Sequence, residues 1–138
     1  MTNQFAAVSA KVLAKLQGLT KMKYVYAYEK GAIEGYPAAT VFGAEYSAEW
    51  EDNVYDRDSY IFTIHIYQEF DIKTAENAEQ IIDAALTEAI QAFQVDYTLG
   101  GTVDIMKIKA TKGWVNREST NRVAVITLSC QKLNSILS

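Results

Sequence analysis

Asp58-Ser-Tyr-Ile-Phe-Thr-Ile-His-Ile-Tyr-Gln-Glu-Phe70 is the longest β-like run in the chain. It is dense in β-branched and aromatic residues and holds no Gly or Pro, a composition that suits a pleated, half-buried surface. Successive side chains of a strand point to opposite faces. Tyr60, Phe62, Ile64, Ile66 and Phe70 share one parity and predict a core face. Ile61, Thr63, His65, Tyr67 and Glu69 share the other, which mixes apolar and polar side chains. A strand this long, and this apolar on one side, is expected at the centre of a sheet. It carries no catalytic motif.

The run before it, residues 38–50, also alternates. Thr40, Phe42, Ala44, Tyr46, Ala48 and Trp50 predict a covered face; Glu45, Ser47 and Glu49 predict a wet one, the pattern of an antiparallel strand. With residues 51–57 as the loop between them, the two runs predict a hairpin with a polar, projecting tip. After it, Ala78, Ile81, Ile82, Ala85, Leu86, Ala89, Ile90 and Phe93 recur at three and four residues. That spacing predicts a helix beginning at Thr74, expected to pack on Phe62, Ile64 and Ile66. Asp71, Glu76 and Glu79 suit its positive end.

An N-terminal helix is predicted over residues 2–17 from the stripe Phe5, Val8, Val12, Leu16 and Leu19. Thr2 or Asn3 serves as its cap, and Gly18 suits a left-handed C-terminal position. Residues 22–28 read as a first strand with Tyr24, Tyr26 and Tyr28 on one face. Pro37, lacking an N–H, begins the next strand but cannot sit within a ladder. Residues 103–111 and 122–133 read as two further strands, entered through the Leu99-Gly-Gly turn and separated by a loop over 112–121. The order is helix, three strands, helix, two strands. This predicts an α+β fold, a mostly antiparallel sheet packed by two helices, in a single domain over 1–138.

Composition bounds the function. The chain has 138 residues, 49% apolar and 22% charged, enough for a real core. No apolar run is long enough to span a bilayer, and the start lacks a signal-peptide pattern, so no membrane partner is expected. The net charge of −4, from 17 acidic and 13 basic residues, disfavours binding a phosphate backbone. Six acids, Glu45, Glu49, Glu51, Asp52, Asp56 and Asp58, crowd one stretch relieved only by Arg57. They read either as a solvated strand end and loop or as a surface that repels something negative.

Reactive chemistry is sparse. His65 is the single histidine and Cys130 the single cysteine. One cysteine allows no disulfide framework and no zinc cluster. Cys130 reads as a small buried hydrophobe. Gly100-Gly101 belongs to no phosphate-binding motif, and the acidic stretch lacks calcium-loop spacing. With no nucleophile, base or cofactor motif to build on, the expectation is a protein that is not an enzyme and uses no cofactor. Trp50, Tyr55 and Trp114, placed beside the two polar loops together with Arg57 and Arg117, either cap the core ends or make protein contacts. Trp, Tyr and Arg concentrate binding energy at interfaces.

This order of elements resembles the tail terminator proteins of long-tailed bacteriophages. The similarity runs over residues 36–133. It is carried by the Tyr36-Pro37-Ala38 start of a strand, the polar hairpin around Trp50-Glu-Asp-Asn53, and the strand from Arg57 through Tyr67. The Leu99-Gly-Gly turn and the closing Asn121-Arg-Val-Ala-Val-Ile-Thr-Leu128 strand complete it. Small neck and minor tail proteins share this architecture. The resemblance implies a structural virion protein, assembled in the host cytoplasm, that forms a hexameric ring on the tail tube. Such a ring ends tube polymerisation and joins the tail to the neck or connector protein, while DNA passes through without specific binding. On that reading Trp50, Tyr55, Arg57, Thr63, His65, Tyr67, Trp114 and Arg117 are candidate interface residues. Glu45, Glu49, Glu51 and Asp52 are candidate lumen acids. One alternative is a neck, head-tail joining or minor tail protein; a further alternative is a small soluble ligand-binding or enzyme domain, holding a molecule between sheet and helix against Tyr24, Tyr26 and Tyr28.

Overall fold

The run read from sequence as central does stand in the middle of the sheet, paired along both of its edges. The computed structural model describes residues 5–26, 37–50, 55–69, 75–114 and 121–135. Its elements are α1 (Phe5–Gln17), β1 (Tyr24–Tyr26), β2 (Ala38–Trp50), β3 (Tyr55–Glu69), α2 (Ala75–Val95), β4 (Ile105–Trp114) and β5 (Asn121–Ser135). The described strands form one sheet in the order β1-β2-β3-β5-β4. β1 runs parallel to β2, and the other neighbours are antiparallel. The fold is α+β, a mostly antiparallel sheet with two helices. β3 pairs with β2 on one side and along its whole length with β5 on the other, from Tyr55↔Ser135 to Glu69↔Asn121.

The core lies between β3 and the helices. Tyr60, Phe62, Ile64 and Ile66 are fully buried, as the parity of the strand predicts. They cluster with Val8, Val12 and Leu16 of α1, with Ile82, Ala85, Ala89 and Phe93 of α2, and with Ala124, Ile126, Leu128 and Cys130 of β5. Burial of each large apolar side chain stabilises by about 1.5–3 kcal/mol, so this helix–sheet contact dominates the fold. Polar contacts fix its rim. Glu88 of α2 accepts from Thr20 Oγ1 (2.6 Å) and Lys21 N (2.9 Å), tying the end of the α1 connection to α2. Glu79 pairs with Arg122 and Lys112, and Lys112 also reaches Asp83 at 2.7 Å.

Several local expectations change. Gly18 does not take a left-handed conformation; its N–H continues the helical ladder to Ala14 O at 3.2 Å. The left-handed residues are instead Leu99, Gly100 and Gly101, with φ of 50°, 69° and 89°. That turn is held by Asp96 Oδ1, which accepts from Gly100 N at 3.0 Å, and by Leu99, whose side chain is buried in the core. Strand bounds shift as well: β1 begins at Tyr24 rather than Met22 and β4 at Ile105 rather than Val103, while others run further than residue type indicates. β3 begins at Tyr55, so only residues 51–54 separate it from β2, and β4 continues through Lys112 and Gly113 to Trp114.

β2 does not keep one face covered along its length. Its register slips between Gly43 and Glu45, and a bulge of one residue exchanges the faces beyond it. Thr40 pairs with His65, whereas Tyr46 pairs with Tyr60 on the opposite side. The covered set inferred from even-numbered residues therefore divides at the bulge. Thr2, Asn3, Tyr28, Phe70, Asp71 and Thr74, also named from sequence, lie outside the described residues.

Candidate interface on the open sheet face

Both helices pack on one side of the sheet. Among the described residues no helix covers the other side, called the open face below. β3 sends Arg57, Ser59, Ile61, Thr63, His65, Tyr67 and Glu69 to it, the alternate set to its core residues. Register adds neighbours. Ala38 and Val123 flank Tyr67, Thr40 and Val125 flank His65, Glu45 flanks Ile61, and Leu133 flanks Arg57. Through Tyr24↔Ala38 and Tyr26↔Thr40, both tyrosines of β1 join the same face.

Chemistry differs along this face. Toward β1 it is aromatic and closely packed. Tyr24 and Tyr26 stack at 6.2 Å with 8° between their planes. Ala38 and Thr40 are fully buried, and Tyr67 is nearly so. His65 Nδ1 and Tyr67 Oη share a hydrogen bond of 2.9 Å, with the rings edge to face. A histidine fixed by a neighbouring hydroxyl, with Val125 on its other flank, is arranged for packing and polar contact.

Toward the hairpin end the face is looser. Ile105 and Leu133 are 47% and 46% exposed. With Arg57, Asp104 and Gln131 they line a shallow depression of about 230 Å³. Asp104 organises this end: it accepts from Leu133 N at 2.7 Å and pairs with Lys132 at 3.5 Å. An exposed apolar pair beside a guanidinium is the composition of a contact surface.

The structure thus brings Arg57, Thr63, His65 and Tyr67 onto one face. Trp50 and Tyr55 are the last residue of β2 and the first of β3, and Trp114 is the last of β4; they stand at strand ends rather than in loops. Trp114 pairs in register with Arg122, at the opposite end of β5 from Ser135, the partner of Tyr55. The candidate interface residues therefore mark two ends of the sheet, not one patch. Arg117, Glu51 and Asp52 lie outside the described residues. Glu45 is exposed on the open face, and Glu49 is the register partner of Arg57.

Asp58 departs from the acidic stretch to which it was assigned. It is 1% exposed and lies on the core side. Tyr46 Oη donates to its Oδ1 at 2.9 Å and Tyr60 Oη to its Oδ2 at 3.4 Å. It is not part of a solvated charge run. Tyr24 and Tyr26 likewise face away from the helices, which removes the sheet-against-helix pocket that they were expected to line. Cys130 is buried as expected, and burial pushes its thiol up to about 12.

Sequence reasoning missed Ile105, Leu133, Lys107 and Lys109. The alternation of Ile105, Lys107, Lys109 and Thr111 against Met106 and Ile108 was the available signal. Among the described residues no group of three acidic, histidine or cysteine side chains could hold a metal ion, and no helix is long and apolar enough to cross a membrane. The chain matches no protein-family model and no curated protein.

Proposed function

We propose that this chain is a structural virion protein that assembles into a ring on the tail tube of a long-tailed phage. The ring ends tube growth and presents a surface to the neck or connector. Its partners are further copies of itself, the tube protein and the neck protein, and DNA passes through without specific binding.

The observation that carries this reading is a long sheet with both helices on one side and large aromatic residues at both strand ends. β2, β3 and β5 are 13, 15 and 15 residues long, and among the described residues the helices pack on one side. Trp50, Tyr55 and Arg57 mark one end, Trp114 and Arg122 the other. At about 3.3 Å per residue those ends of β5 are roughly 40 Å apart. A ring seated between tube and neck needs two separate surfaces on each subunit, one for each partner, and the two ends of the strands supply them. Trp, Tyr and Arg concentrate the energy of protein contacts, and the sequence sets Trp50, Tyr55 and Arg57 at one end and Trp114 at the other.

Electron microscopy of the purified protein, alone and mixed with tube protein, tests the reading. Rings of uniform diameter seated on tube ends are expected. A persistent monomer that never engages a tube end would overturn it.

A further inference from the structure

The two outer edges of the sheet match one another. β1 covers β2 only at Ala38, Ala39 and Thr40. Among the described residues, the outer edge of β2 beyond Thr40 has no strand beside it. On the far side of the sheet β4 is the last strand, and its outer edge is likewise unpaired among the described residues over Ile105–Trp114. Residues 41–50 and 105–114 are equal in length. An exposed strand edge is a ready template for pairing with another chain.

We propose that copies of this chain join head to tail by pairing these edges, β2 of one copy beside β4 of the next, with Glu45 set against Lys109. This supplies the subunit contact of the ring proposed above and rests on that reading.

Strand direction supports the pairing. β2 and β3, β3 and β5, and β5 and β4 are each antiparallel, so β4 runs opposite to β2. Rotation about an axis along the strands preserves direction. The β4 of one copy then meets the β2 of the next antiparallel, with both helix layers on the same side.

Charge supports it too. Glu45 is exposed on the open face of β2, and Lys107 and Lys109 are exposed on the same face of β4. Other lysines of the sheet are engaged within the chain, Lys112 with Glu79 and Asp83, and Lys132 with Asp104. The register that sets Glu45 opposite Lys109 sets Ser47 opposite Lys107. Opposite charges across strands stabilise, and like charges directly opposite destabilise. A two-fold pairing of β4 with β4 centred on Ile108 would set Lys107 of each copy opposite Lys109 of the other, like charge against like, so charge favours the head-to-tail arrangement.

Two experiments test the inference. In the first, Glu45→Cys and Lys109→Cys are combined in one chain and oxidised. The two positions lie three strand spacings apart within a subunit, about 14 Å at about 4.8 Å each, beyond the roughly 7 Å that a disulfide can bridge. Any disulfide between them therefore joins two copies. Native Cys130 is fully buried and does not compete. A ladder of covalent multimers is expected. A control with Glu45→Cys and Gln91→Cys, on α2, should give dimers at most. No ladder, or an equal ladder from the control, would overturn the inference.

In the second, Glu45→Lys and Lys109→Glu are made separately, and self-association is read by sedimentation. Each alone should associate about tenfold more weakly, as like charges then face each other. Mixing the two variants should restore assembly, because each edge then meets its opposite. Single variants that assemble as the parent does would overturn the proposal. Rings on tube ends without a cysteine ladder would reject edge pairing and keep the ring reading. A ladder that builds open filaments, with no closed ring, would do the reverse.

Discussion

A missing side chain decides how α1 meets the sheet. A Cβ added at Gly43 would overlap the ring of Phe5. Phe5 in turn packs on Phe62 at 5.2 Å, Tyr60 at 6.0 Å and Tyr46 at 6.5 Å. The first turn of the helix is thus seated at the bulge by an aromatic ring that only glycine admits. Gly43→Ala is expected to destabilise by about 1–3 kcal/mol, the usual cost of overpacking. In a Phe5→Ala background the same change should cost much less, since the overlapping ring is gone. Urea unfolding of the four members of this cycle measures the coupling, and equal costs in both backgrounds would refute the contact. Neither the bulge nor Phe5's seat was legible beforehand. Alternation over residues 38–50 reads as unbroken because a bulge inserts a residue without changing composition. Asp58 was legible in part. Its parity matches Tyr60 and Phe62, yet its acidic neighbours in sequence drew it into a solvated run. A carboxylate this buried must be hydrogen-bonded, and the hydroxyls of Tyr46 and Tyr60 do this.

At the scale of elements, α2 was the most readable part of the chain. Its stripe of Ile, Leu, Ala and Phe, from Ala78 to Phe93, spans more than four turns, and a helical period sustained that long has few alternatives. Its partner strand was readable from the opposite periodicity. The ion pairs at its edge were not, because Glu79 and Arg122 lie 43 positions apart and meet only through the sheet. Burial pushes the Glu79 carboxyl up, but the hydrogen bonds and charges of Arg122 and Lys112 outweigh it and hold it below the ordinary 4.5. A carboxyl lowered in the folded state binds fewer protons there than in the unfolded chain. Its stabilising contribution is therefore complete above the ordinary value and is lost as pH falls through the lowered one. Lys112 behaves in the opposite sense. Its hydrogen bonds to Asp83 and then Glu79 raise it above 10.5, so its contribution is present below that value and fades as pH rises through the raised one. Glu79→Gln should therefore flatten the loss of stability below pH 4.5 and lower stability at neutral pH. Unfolding midpoints across an acid series check this, and an acid limb of unchanged steepness would exclude the pair as a contributor.

For the whole molecule, strand order was the least readable property. Sequence indicated two strands on either side of a loop over 112–121, but not that β5 lies beside β3, nor that β1 runs parallel to β2. Such neighbours are chosen by long-range pairing and by where the helices leave room, and neither has a local signature. The order matters because, among the described residues, it leaves β3 and β5 inside and β4 and the part of β2 beyond Thr40 as long edges, so the sheet is most stable at its centre and least at its rims. Local opening in proteins spans free energies from near zero up to the global value, with buried core strands at the top. In the isolated chain, the slowest-exchanging amides should therefore lie within residues 60–66 and 124–130. Those of residues 45–50 and 105–112 should exchange markedly faster. On assembly these two outer segments should slow together, because edge pairing supplies both at once, while the centre changes little. Hydrogen exchange read by mass spectrometry on monomer and ring separates the possibilities. Protection gained on β2 and β4 in concert identifies a continuous sheet. Protection gained only around Trp114 and Arg122, or only around Trp50 and Tyr55, would mean that the strand ends make the contact and the edges stay open.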